Sequence, residues 1–109
     1  ATYPAAFAYF CARFKTATGI TDMPVIIAGG VIADTGSPGA LVTMQRTLDK
    51  ASGHANSLPY VTYFDGPTGV ANINVGDTVH FNTPAQRVRG DYAGQLAYNE
   101  GKNGRTWWV

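Results

Sequence analysis

With 109 residues, 45% of them apolar and 14% charged, and a formal net charge of +1, the chain is long enough to bury one core without covalent staples and too weakly basic for a dedicated nucleic-acid binder. One cysteine excludes an internal disulfide framework, and one cysteine with two histidines is a poor donor set for structural zinc. Thirteen glycines, six prolines and a single glutamate suit a β-rich domain better than a helical bundle.

Residues 3 to 15 carry the one clear helical pattern. Tyr3, Phe7, Phe10, Cys11 and Phe14 recur at helical spacing, Pro4 suits a first turn and Gly19 suits the residue past the end. Arg13 and Lys15 stand where the helix dipole favours cations. The opposite face, Ala5, Ala6, Ala8, Tyr9 and Ala12, is hardly polar. Residues 1 to 19 therefore read as a helix or extended arm that something must cover, with Phe7, Phe10 and Phe14 as its adhesive side chains. No basic region ahead of an apolar core marks a secretory leader, and a removed one leaves no trace.

Residues 24 to 33 hold no polar side chain. The run is far shorter than the ~20 residues of a membrane-spanning helix, and Val, Ile and a glycine pair make poor helix interiors. It reads as a strand buried on both faces, with Gly29-Gly30 marking a bend or a close backbone approach. Residues 34 to 39 are turn chemistry. Across residues 40 to 48, Val42, Met44 and Leu48 alternate with Thr43, Gln45 and Thr47, which predicts a half-buried strand with Arg46 as an exception on its buried side. Residues 49 to 57 are small and polar, a surface loop.

Residues 58 to 82 predict a meander whose register keeps like faces together. A loop over residues 65 to 69 sets Phe64 against Val70 and Val61 against Ile73; a bulged turn over residues 76 to 78 sets Asn74 against His80 and Ile73 against Phe81. One face is then Val61, Tyr63, Ala71, Ile73, Val75, Val79 and Phe81. The other is Tyr60, Thr62, Phe64, Asn72, Asn74, His80 and Asn82. The chain leaves this sheet through Pro84, resumes as a strand over residues 92 to 98, and turns at Asn103-Gly104 to bring Arg105 and the tryptophans back beside it. Adjacent strand residues point oppositely, so Trp107 is expected inside and Trp108 at a contact.

Chemistry is thinly signalled. Cys11, on an apolar helical stripe, reads as a buried inert thiol, and His54 as a solvated loop residue. His80, flanked by Asn72, Asn74 and Asn82, reads first as a hydrogen-bonded surface histidine and second as an acid–base group or metal ligand. Six aspartates lie in or beside turns, Arg89-Gly90-Asp91 reads as a turn rather than an integrin-type tripeptide, and no phosphate-binding glycine motif is present. Arg87, Arg89, Tyr92, Tyr98, Lys102, Arg105 and the tryptophans resemble a single-stranded nucleic-acid surface, but Asp91 and Glu100 offset it.

The expected fold is mainly β: a small antiparallel sandwich or partly open barrel of about six or seven strands with one N-terminal helix or arm, a single domain over residues 1 to 109. No catalytic residue, cofactor, metal or membrane span is expected. The leading functional expectation is a non-enzymatic structural protein of the capsid, decoration or appendage type, self-associating or binding a larger shell. Its contact residues are drawn from Tyr60, Phe64, Asn72, Asn74, His80, Asn82, Arg105, Trp107 and Trp108. The alternatives are a monomeric module that binds carbohydrate or single-stranded nucleic acid, and a small hydrolase.

Overall fold

The computed structural model describes residues 2–32, 39–76 and 80–101. Its first element is the helix the N-terminal spacing predicts, α1 (Tyr3–Thr18), opened by the Thr2 hydroxyl accepting from Ala5 N–H and closed by Gly19 in the left-handed conformation at φ 73°. The apolar run follows as strand β1 (Val25–Ala28), and β2 (Val61–Phe64) lies parallel to it with Val25 opposite Val61 and Ala28 opposite Phe64. Parallel neighbours need a long crossover. Here it contains helix α2 (Ala40–Thr47). A 3₁₀ turn (Val70–Asn72) and a long helix, α3 (Thr83–Gly101), complete the described elements.

The chain is therefore α/β, and the expected β-sandwich or barrel of six or seven strands is wrong. Three helices and one two-stranded parallel sheet are present among the described residues. Two of the expected strands are helices. Over residues 40 to 47, the good helix formers Ala40, Leu41, Met44, Gln45 and Arg46 outweigh an apparent alternation, and the pattern's Met44 lies outside while Val42 is buried. Over residues 92 to 98, the deciding signal lies upstream. Asn82 Oδ1 accepts from Ala85 N–H as an N-cap, Pro84 occupies the first turn, and Ala85, Val88, Tyr92 and Leu96 fall three or four apart. Arg89-Gly90-Asp91 accordingly lies inside α3 and is not a turn.

The first hairpin of the predicted meander is also absent, because β2 takes β1 as its partner. The second survives in part. Ile73 and Phe81 form an isolated antiparallel bridge, and Asn74 N–H donates to His80 C=O at 3.1 Å, as face matching requires. The hairpin at Asn103-Gly104 lies outside the described residues.

Ile27, Leu48 and Val61 form the core, with Tyr3, Phe7, Val25, Leu58, Tyr60 and Tyr63 packed around them. Phe7 thus joins the core. Tyr9, Phe10 and Phe14 remain exposed, at 66%, 64% and 47%. No described helix is long and apolar enough to cross a membrane.

Candidate functional site at the carboxyl end of the parallel strands

Both strands end where their backbones pack most tightly. Gly29 N–H donates to Phe64 C=O at 2.8 Å, and a Cβ at Gly29 would press on the Tyr63 hydroxyl and ring, so any larger residue there requires that side chain to shift. One residue on from Asp65, a Cβ at Gly66 would lie 2.7 Å from the Phe81 ring. This contact brings the 80–82 segment to the end of the sheet.

Charge is concentrated around the same point. Arg46, in the last turn of α2, makes a bidentate pair with Asp65, its Nε and Nη2 donating at 3.0 and 2.9 Å, and the Tyr63 hydroxyl donates to Asp65 Oδ1 at 2.6 Å. The Arg46 hydrogen bond holds the Asp65 carboxyl below its ordinary range. Burial, followed by the hydrogen bond to Asp65 and then the Asp65 charge, pushes Tyr63 up to about 12. Opposite, Arg89 of α3 donates through Nη2 to the carbonyls of Ala28 and Gly29, both at 3.1 Å, and its guanidinium lies over the Phe81 ring. Between these groups is a cleft of about 270 Å³ lined by Phe64, Asp65, Gly66, Val88, Arg89 and Tyr92. Phe64 and Tyr92 meet edge to face across it, 4.8 Å between centroids.

The Ile73–Phe81 bridge buries those two side chains, and pleat alternation turns Asn72, Asn74, His80 and Asn82 the other way. Two of these amides have structural work. Asn72 donates to Thr68 C=O at 2.7 Å, and Asn82 donates to Ala71 C=O at 2.8 Å while capping α3. Asn74 and His80 are exposed.

No protein-family model matches the chain, and no curated protein or solved structure matches it.

The face expected from sequence is divided between the two ends of the sheet. Phe64 ends β2, and Asn72, Asn74, His80 and Asn82 flank the Ile73–Phe81 bridge, which the Phe81–Gly66 contact joins to that end. Tyr60 is at the amino end, with Lys15 Nζ 3.2 Å from its ring centroid and Cys11 as a hydrogen-bond partner. Cys11 is buried, as expected, and burial raises its thiol pKa while Lys15 and Tyr60 lower it. His54 is exposed on its loop, as expected, with Nδ1 accepting from Asn56 N–H at 3.0 Å. Arg105, Trp107 and Trp108 lie outside the described residues. No cluster of three or more potential metal ligands occurs among the described residues.

Sequence reading nominated neither Asp65 nor Tyr63 nor Arg46 for a site. The available signal was Arg46, a cation at a position where the strand pattern demanded an apolar residue.

Proposed function

We propose that the carboxyl end of the β1–β2 pair is a hydrolytic site for a hydroxyl-rich small substrate such as an esterified sugar, with His80 as general base. One observation carries this reading: the Phe81 ring meets Gly66 and the Arg89 guanidinium, which sets the segment of exposed Asn74 and His80 beside the sheet end that holds Asp65 and the Phe64–Tyr92 cleft. Open parallel sheets bind ligands outside the carboxyl ends of their strands, a location that the antiparallel sandwich lacked. The capsid-type analogy rests on size and composition, with no motif behind it. Rings such as Tyr92 stack on a sugar face, and Asn74 offers both donor and acceptor to hydroxyls.

Ester cleavage suits the groups better than glycoside cleavage. A glycosidase needs a protonated carboxyl beside its leaving group, and Asp65 is held ionised by Arg46. An ester needs a base. His80 takes a proton from the attacking water as the new C–O bond forms, and returns it to the alcohol oxygen as the old C–O bond breaks. The test is hydrolysis of p-nitrophenyl acetate and of acetylated monosaccharides. His80→Ala is expected to lower kcat/KM by about 100-fold without lowering the melting temperature, since the side chain is exposed. Equal activity in parent and variant sinks the reading, as does no turnover of any acetyl ester by the parent.

Association is the second reading, carried by the exposed Tyr9, Phe10 and Phe14 on α1. Its measurement is mass in solution: a monomer over the micromolar range removes self-association.

A further inference from the structure

The cleft at Phe64 and Tyr92 is mostly apolar, although two charged side chains stand in its wall. Both are already engaged by the protein. Asp65 accepts from Arg46 through both oxygens and from the Tyr63 hydroxyl. Arg89 donates through Nη1 to Gln86 Oε1 at 2.7 Å and through Nη2 to the Ala28 and Gly29 carbonyls, and its Nε is buried. A hydroxyl-rich group placed here gains few hydrogen bonds for those it surrenders to water, whereas an apolar group surrenders none. Size narrows the choice. At about 270 Å³ the cleft exceeds the roughly 150 Å³ that holds benzene in an apolar protein cavity, so an acetyl group leaves most of it to water. Shape narrows it again. Phe64 is buried, Tyr92 is half exposed, and their rings meet at an interplanar angle of 65°. Such a corner offers the face of one ring and the edge of the other to a third flat ring.

We propose that this cleft takes the acyl group of the ester, and that the group is an aromatic ring of the benzoyl or cinnamoyl kind. The proposal rests on the hydrolytic reading above and divides the substrate at its ester bond, the ring in the cleft and the hydroxyl-rich alcohol towards exposed Asn74 and His80. Phe81 makes that division possible. Its ring meets Gly66 and Arg89, which both line the cleft, and His80 precedes it in the chain. A flexible acyl chain is the poorer occupant, because it loses more rotational freedom on entering than a rigid ring does.

The test separates ring binding from turnover. Cinnamamide, which resists hydrolysis, and its saturated counterpart 3-cyclohexylpropanamide are titrated into the full chain by ligand-observed nuclear magnetic resonance. Cinnamamide is expected to bind about fivefold tighter, a margin that Tyr92→Phe keeps and Tyr92→Leu loses at unchanged circular dichroism. Val88→Trp fills the cleft from a largely exposed position on α3, which spares the fold, and is expected to weaken cinnamamide about tenfold. In hydrolysis, p-nitrophenyl cinnamate is expected to exceed p-nitrophenyl acetate about tenfold in kcat/KM, and Val88→Trp to remove that preference. No saturable binding of cinnamamide, or equal binding of the saturated amide, overturns the aromatic subsite even where acetyl esters are cleaved. Cinnamamide binding that survives Val88→Trp puts the ring elsewhere and overturns it as well. Binding that Val88→Trp removes, without turnover of any ester, upholds the ring subsite and sinks only the hydrolytic reading.

Discussion

At the scale of single residues, Gly29 is the tightest constraint. Gly29→Ala sets a methyl against the Tyr63 hydroxyl, the Tyr63 ring and the Phe64 carbonyl, and is expected to cost about 1–3 kcal/mol. Tyr63→Phe in the same chain should restore part of that loss, because it removes the nearest atom; denaturant midpoints of the single and double variants measure the coupling. The Asp65 cluster gives a pH signature. Its folded pKa is depressed below 3.8, so its contribution is present above about pH 4 and disappears as pH falls through the folded value. Both partners are about 40% exposed, so Asp65→Asn should cost only about 0.5–1 kcal/mol at pH 7, with parent and variant converging in acid. Tyr63 behaves oppositely. Its pKa rises from 10.0 to about 12, so its contribution holds below pH 10 and fades as pH climbs through about 12; phenolate absorbance against pH should show one tyrosine ionising late.

At the scale of elements, helix ends decide more than helix middles. Asn82→Ala removes the α3 cap and the bond to Ala71, and is expected to lower stability by about 1–2 kcal/mol in thermal or urea unfolding. Gly19→Ala leaves the packing untouched and forces a side chain into the left-handed region, costing about 1 kcal/mol by the same measurement. The same elements show what could be read from the chain. α1 was legible because an aromatic stripe, a first-turn proline and a terminal glycine all agree. α3 was not, because Gly90 and Gly94 each cost about 1 kcal/mol of helix propensity and dilute the pattern over residues 83 to 101. Its Asn-Thr-Pro start was the sounder cue. The Ile73–Phe81 pairing was legible since face matching is a local rule, whereas the partner of β2 was not, since β1 lies more than thirty residues away.

At the scale of the whole molecule, the exposed aromatics of α1 set its solution behaviour. Phe10 and Phe14 stack with centroids 6.4 Å apart on an open face. Replacing both with serine is expected to lower any oligomer mass while leaving the melting temperature nearly unchanged, as an exposed side chain loses little on removal. A large drop in melting temperature with unchanged mass would make these rings part of the core.

The sequence by itself determined α1 with its first-turn proline and terminal glycine, the strand character of residues 25 to 28, the burial of Cys11 and the local face of Asn74 and His80. Each follows from interactions among residues close along the chain. Tertiary structure alone decided that residues 40 to 47 form a helical crossover, that β1 and β2 run parallel, and that Asp65, Arg46, Arg89 and Phe81 share one end of the sheet. The physical reason is burial. Short apolar runs satisfy a strand or a helix equally well in isolation, and only packing β1, β2 and α2 around Ile27, Leu48 and Val61 makes one choice cheaper than the other.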